Sequence, residues 1–364
     1  MNHNQLIEYF AQVIQEIFNK VGNANNLTYD KNAQKLISAV LKSLDTLGIK
    51  ANEVMPQELE KAYLEAVASA DKELAVQNVK VEKVEPTQIL KRKIHLAAVK
   101  KLINDTLSDL KVAIRTAKKS AKTTISKVID RTKKEIARGM VVGNHNKIVS
   151  KKVAKAFQEE GLTSFITAPD KNGVRRKLRV DKYAKVVVSS KMRESSVAGI
   201  TNRCLESDVG LVQVSKHSPT CHVCARYEGK VVSLTGKHEG FKSILDNGVK
   251  LPNYHPHCKH TIKPWVITYK TPAEIQAAKD DWKSFNPEKE VRSISQQKAY
   301  KKEQDIRRKA HEELKAYERY TAVLGKDAPK TIGAFRRIKR NGGKSWQKLQ
   351  LAYRQANREL KTQG

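Results

Sequence analysis

Between Pro86 and Gly139 the chain holds neither proline nor glycine. Apolar side chains recur through this stretch at alternating steps of about three and four: Leu96, Val99, Ile103, Leu110, Ile114, Ala117, Ala121, Ile125 and Val128, with Lys and Arg between them. A segment without breakers and with this period predicts one long basic amphipathic helix, broken at most once. Thr, Ser and Ala at 116–126 thin its apolar stripe, so its stability must come from a partner helix or another subunit.

The same reading extends along the chain. Leu6, Phe10, Ile14 and Phe18, then Leu36, Val40, Leu44 and Leu47, keep helical spacing and predict short amphipathic helices over the first 80 residues. A helix over 147–160 would close with Gly161 as its C-cap. The period then changes. Segments 164–168 and 174–180 contain β-formers around Pro169-Asp170-Lys171-Asn172-Gly173 and read as a hairpin. Asp181 is placed to cap a helix over about 182–206, and 211–214 and 230–234 are further strand candidates. Thr271-Pro272-Ala273-Glu274 carries a capping Thr, Pro at the first helical position and Glu three residues after the cap. Asn286-Pro287 offers another start, for a helix running to Leu324 and ended by Gly325, and Gly342-Gly343 separates two last basic helical pieces.

The expected fold is therefore α+β and predominantly α-helical, with long basic amphipathic helices flanking a small zinc-stabilised α+β domain. Four regions follow: a helical module over 1–85, the long basic helical region over 86–161, an α+β domain with the cysteines over 162–270, and a basic helical region over 271–364. No apolar run approaches 18 residues, and Met-Asn-His-Asn-Gln-Leu-Ile-Glu has neither a basic n-region nor an apolar h-region, so a membrane span and Sec-type export are disfavoured.

Charge narrows the partners. The 364 residues carry 70 Lys and Arg against 38 Asp and Glu, a formal +32, too large an excess for an ordinary enzyme of a small neutral substrate. Residues 1–90 hold 9 Lys, no Arg and 12 acidic side chains, a net of −3, so the rest of the chain carries +35. Residues 91–200 contribute +19 and residues 330–364 contribute +9. Such a balance suits a polyanion, most simply double-stranded DNA bound without regard to sequence, because neutralising phosphates releases condensed counterions. The candidate phosphate contacts are Lys118, Lys119, Lys122, Arg131, Lys133 and Lys134, and Arg336, Arg337, Lys339 and Arg340. Aromatics make up 6% of the chain, too few to stack on bases along these segments.

The strongest chemical signal is Cys221-x-x-Cys224 followed by His255-x-x-Cys258. Each half sets two ligands three residues apart, a spacing from which one tight turn can direct both side chains to a single ion. Three thiolates and an imidazole complete a tetrahedral shell for Zn²⁺, closed and therefore structural. His257 and His260 are rival ligands to His255. The fourth cysteine, Cys204, stands alone in a predicted helix and reads as a small core residue.

These residues resemble a known family. The run Leu211-Val212-Gln213-Val214-Ser215, then Cys221-His222-Val223-Cys224, the stretch from Glu228-Gly229-Lys230-Val231-Val232 to Ser233-Leu234-Thr235-Gly236, and Leu251-Pro252-Asn253-Tyr254-His255-Pro256-His257-Cys258-Lys259-His260 with Pro264 are similar to the minor capsid (head morphogenesis) proteins of tailed phages. The likeness is to the Mu F-like group and especially its minor capsid protein 2 branch. Tyr183-Ala184-Lys185-Val186-Val187, Arg193-Glu194 and Ala198-Gly199 resemble the helix that precedes this run. The likeness is firm over 180–266 and looser on either side, and over 1–90 it amounts to the variable helical start expected of the family. The family usually has Asn where this chain has His257. What the resemblance implies is a virion or procapsid component in few copies, made in the host cytoplasm and associated with the portal vertex. Its partners would be portal protein, DNA and scaffold or major capsid protein, and its role head morphogenesis or genome packaging and ejection.

Other function classes have less support. A zinc-stabilised nuclease or a phage-delivered effector is the alternative, since six of the ten His fall between 217 and 260. Phosphodiester hydrolysis usually needs carboxylate-held metal, yet Glu228, Glu239 and Asp246 are the only acids between Cys221 and Cys258, without a His-Asn-His or paired-carboxylate pattern. Walker A, G-x-S-x-G and G-x-G-x-x-G motifs are absent, as is the spacing of a sequence-reading zinc finger. The expectation is a protein that is not an enzyme.

Overall fold

The computed structural model describes residues 1–82, 84–138, 145–170 and 172–362, and the side chains as far as 360. Helix α1 (His3–Gly22) opens with a capping box in which Asn2 and Gln5 satisfy each other's backbone N–H groups. It is followed by α2 (Asp30–Val76), 47 residues long. The short helices expected in the first 80 residues are thus corrected to two, one of them very long. Pro56 lies inside α2 without ending it, because Met55 and Leu59 beside it are fully buried in the helical core, and that burial outweighs one lost backbone hydrogen bond.

After the short α3 (Pro86–Ile89), the long basic helix α4 (Lys93–Ala137) runs for 45 residues, with its one interruption at 90–92. Gly139, which bounded the expected helix, lies outside the described residues. The thinned stripe finds its partners within the chain: Ala117, Ala121 and Ile125 are fully buried in one core with α1, α2 and α5 (His145–Glu160). Gly161 follows α5 as expected, though for space: an added Cβ would sit 2.3 Å from the Phe157 ring.

The hairpin forms as β1 (Thr163–Ile166) and antiparallel β2 (Lys177–Arg179). In its turn Asp170 accepts backbone hydrogen bonds from Asn172 and Val174, and Gly173 takes a φ of +75°; Lys171 lies outside the described residues. Helix α6 (Val180–Glu206) follows. Asp181 is not its N-cap. Arg179 occupies that position, and Asp181, one residue into the helix and buried, accepts from Arg179 Nε and Nη2 at 2.7 and 2.9 Å. Arg179 also donates to Glu318 at 2.8 Å and lies over the Phe18 ring, so this buried group ties α1, α6 and the C-terminal region together.

A second, three-stranded antiparallel sheet has the order β4 (Val231–Ser233), β3 (Leu211–Val214), β5 (Ile262–Pro264). Register pairs Val212 with both Val232 and Pro264. Val212, Val214, Val232 and Ile262 pack toward the ends of α2 and α6, while Leu211 and Val231 meet Phe241 and Trp265 on the other face. Burial on both faces explains why Leu211-Val212 and Val231-Val232 are consecutive apolar pairs rather than alternating positions. β5 has no such pair, and so escaped the sequence reading. The Gln77 amide at the end of α2 donates to Pro264 O and accepts from Val266 N, both at 3.0 Å, which fastens α2 to that strand.

The α2–α6 contact depends on Gly199. A Cβ there would lie 2.5 Å from the Tyr63 carbonyl oxygen, a backbone atom that cannot swing away. Gly199→Ala should therefore destabilise the protein by about 1–3 kcal/mol, more than the ~1 kcal/mol that alanine contributes to an unhindered helix. Urea denaturation checks this, and a neutral or stabilised variant would contradict the close approach. Nearby, His95 is fully buried with Nδ1 2.7 Å from Tyr63 Oη and Nε2 2.8 Å from Glu206, and Asn202 donates to the same Tyr63 hydroxyl. These polar contacts join α2, α4 and α6.

After the sheet come α8 (Pro272–Lys283), α9 (Ile294–Leu324), α10 (Ile332–Asn341) and α11 (Gly343–Thr362). The Thr271/Glu274 capping box and the stop at Gly325, with φ +59°, stand as expected, as does the Gly342-Gly343 break. The start at Asn286-Pro287 does not: Asn286 makes a local turn to the Glu288 N–H, and α9 begins eight residues later with a Ser293/Gln296 capping box.

Candidate metal centre

The sheet brings the two cysteine-bearing turns together. The first lies in the connection from β3 to β4, where Cys221 caps α7 (His222–Ala225) and accepts from Cys224 N at 3.3 Å, placing both sulfurs on one side of a single turn. The second, 255–258, is closed by Cys258 N donating to His255 O at 2.9 Å and leads into β5, the other neighbour of β3. Two flanking helices hold these turns. Arg193 of α6 donates to the carbonyls of Lys259 and His260 at 2.8 and 3.2 Å, and Arg292, just before α9, donates to that of Thr220 at 3.2 Å.

The four residues expected as ligands gather around Cys224, though not as one group of four. His255 Nε2 lies 3.2 Å from Cys221 Sγ and 3.1 Å from Cys224 Sγ, and the sulfurs of Cys224 and Cys258 are 3.8 Å apart. His260 joins them, with Nδ1 3.8 Å from Cys258 Sγ. Among the described residues the donors fall into two groups of three that share Cys224: Cys221, Cys224 and His255, and Cys224, Cys258 and His260, each within 4.8 Å. Bonds of about 2.3 Å to sulfur and 2.0–2.1 Å to nitrogen put tetrahedral ligands about 3.5–3.8 Å apart. The donor types, and the 3.8 Å spacings of Cys258 to Cys224 and to His260, match a zinc-like ion, while His255 lies closer to its two sulfurs than a fellow ligand would. His257 is not in either group; its backbone N–H donates to His255 Nδ1 at 3.2 Å.

Electrostatics agree. The Cys224 thiol, hydrogen-bonded toward both neighbours, draws Cys221 down to about 4 and Cys258 to about 3, while its own proton is held far above the usual thiol range. The lowering at Cys221 and Cys258 suits metal ligands, which bind as thiolates. Cys204 behaves differently: it is buried in the core as expected, and burial alone pushes its thiol up to about 12. The cluster is less closed than its spacing implied, since a cavity of about 120 Å³ reaches it between His217, His257, Tyr300, Glu303 and Arg307.

The sequence profile of phage minor capsid protein 2 matches residues 7–341, nearly the whole chain. The chain belongs to that family. The resemblance carried by the cysteine-bearing run therefore extends over the helices on both sides, including the acidic first 90 residues. A capsid-associated role and a place in the virion go with membership. No curated protein and no solved structure matches the chain. No helix among the described residues is long and apolar enough to cross a membrane.

The basic candidates of this minor capsid chain divide into two kinds. Lys118 pairs with Asp45 and Lys133 with Asp30, both at 2.6 Å, and Arg131 with Glu135 at 2.9 Å. Arg336 and Lys339 share Glu313 at 3.1 and 3.8 Å. Lys119, Lys122, Lys134, Arg337 and Arg340 are exposed, with no ion pair among the described residues. The sequence reading overlooked Glu228 and Arg193 as supports of the cysteine-bearing turns. Glu228 follows Cys224 by four residues and could have been found as a carboxylate able to reach a ligand histidine.

Proposed function

We propose that this minor capsid protein sits at the portal vertex, binds double-stranded DNA without sequence preference, and acts in head morphogenesis or genome packaging and ejection. Its sheet would be locked by a structural Zn²⁺ held by Cys221, Cys224, Cys258 and a histidine, with His255 the choice from spacing. Assembly would take place in the host cytoplasm against portal protein and scaffold or major capsid protein. The observation that carries the DNA reading is the solvent face of α4, where Lys122, Lys127, Arg131, Lys134 and Arg138 stand together with Asp130 and Glu135 as the acids beside them. Mass spectrometry of purified virions and procapsids tests the placement: a few copies per portal are expected, and absence from both particles would refute it.

DNA binding should weaken steeply with salt, by a slope of about −0.9 in log K against log salt for each phosphate neutralised. Replacing Arg336, Arg337, Lys339 and Arg340 by Gln should lower affinity equally for all sequences and flatten the slope by about 2–4 units, the lower figure applying if Glu313 keeps Arg336 and Lys339. An unchanged slope, both here and in a matching variant at Lys118, Lys119, Lys122, Arg131, Lys133 and Lys134, would place the DNA-facing surface elsewhere.

We also propose that the protein performs no turnover. Plasmid incubated with it and Mg²⁺ or Mn²⁺ should stay intact. Nicking lost in His257→Ala or His260→Ala, with the fold retained, would instead support the nuclease or effector alternative, for which the cavity beside the cysteines offers a place.

A further inference from the structure

His260 is 1% exposed, and both of its ring nitrogens are committed inside the protein. Nε2 lies 2.6 Å from Glu228 Oε1, and Nδ1 faces the sulfurs, 3.8 Å from Cys258 Sγ. Glu228 is itself held, accepting from the His217 backbone N–H at 3.1 Å. A carboxylate accepts only, so Nε2 carries a proton, and in the neutral ring that a metal requires the lone pair is on Nδ1, which faces Cys258 and Cys224. His255 is arranged the opposite way. Its Nδ1 accepts the His257 N–H at 3.2 Å, so Nε2 carries the proton and points it at the sulfurs of Cys221 and Cys224, 3.2 and 3.1 Å away.

A metal needs a lone pair, whereas a thiolate bound to metal gains from N–H donors. We propose that His260, oriented by Glu228, is the imidazole ligand beside Cys221, Cys224 and Cys258, and that His255 serves as an N–H donor to the sulfurs. This rests on the zinc reading above and replaces the imidazole that spacing selected. Glu228 is a positioning residue: by taking the Nε2 proton it fixes the ring's tautomer and direction, as carboxylates behind metal-bound histidines do. Three thiolates and a neutral imidazole leave an excess negative charge on a divalent ion, and the Arg193 guanidinium, held against the 259–260 carbonyls, lies beside Cys258 and Cys224 to offset it.

The full-length chain loaded with Co²⁺ tests this through metal stoichiometry, affinity by chelator competition and the ligand-field spectrum. The wild type should bind one ion with three sulfurs and one nitrogen. Glu228→Gln should keep that spectrum while losing about 10–100-fold in affinity. His260→Gln should lose more than Glu228→Gln and lack the nitrogen signature; His255→Gln should bind less tightly than wild type but retain it. Loss of the nitrogen signature in His255→Gln, or its survival in His260→Gln, overturns the assignment while leaving the zinc reading intact. A wild type that binds no metal refutes the zinc reading itself. Where circular dichroism shows that His260→Gln has unfolded, Glu228→Gln decides, and unchanged affinity in that variant overturns the proposal.

Discussion

Cys224→Ser is expected to release the bound ion altogether and to unfold the three-stranded sheet, leaving the helices of the first core folded. Cys224 is the one sulfur common to both groups of donors, so its loss breaks both at once and leaves two separate Cys/His pairs. Structural zinc contributes apparent binding energies of about 10–16 kcal/mol in small modules at neutral pH, and loss of even part of that exceeds what strands of three and four residues can replace by packing. Elemental analysis of protein purified without chelator, with thermal unfolding of both forms, measures the effect. Wild-type protein lacking stoichiometric metal, or a variant melting as one unit with the wild type, would sink the prediction. Chelation should reproduce the variant. So should acid, because the ligands must be deprotonated and affinity falls as protons compete.

Asp181→Ala should cost about 3 kcal/mol at neutral pH, the low end for breaking a buried pair, because Glu318 still faces Arg179 and leaves its charge partly compensated. Burial opposes ionisation of Asp181, but the two hydrogen bonds from Arg179 and its positive charge prevail and hold the carboxyl below the usual range. The depressed value fixes the sign. This stabilisation is present above the unfolded-state pKa of about 3.9 and is lost as pH falls through the lower folded value. Wild type should therefore lose stability below about pH 4 faster than the variant, so that the difference between the two closes in acid. Urea denaturation at pH 7 and in steps below pH 4 tests both statements; a variant within 1 kcal/mol of wild type at neutral pH would contradict them.

The helices and the cysteine-bearing turns could be read from the residues because their signals are local. The spacing from Leu96 to Val128, the Thr271/Glu274 box and the paired glycines at 342 and 343 all act within a few residues of themselves. The errors arose where distant partners decide. Pro56 stays helical because of the core around Met55 and Leu59, and Asp181 leaves the cap because Arg179, held from the far side by Glu318 of α9, claims its carboxylate. β5 exists through its pairing with β3 and the Gln77 amide. At the metal centre, spacing located the cysteines but not the tautomers of His255 and His260, which depend on Glu228 and on the His257 N–H across the folded turn. The basic residues were correctly found as charges. Which of them are committed to Asp30, Asp45, Glu135 or Glu313 could not be known before those acids were placed.

Helix α2 contributes Ala33 and Leu36 to the core at one end and Leu74 to the sheet core at the other, without interruption. At 1.5 Å per residue its 47 residues form a strut of about 70 Å. The acidic N-terminal module and the cysteine-bearing sheet thus share one continuous, buried element, so that a load on either is carried to the other through the helical core.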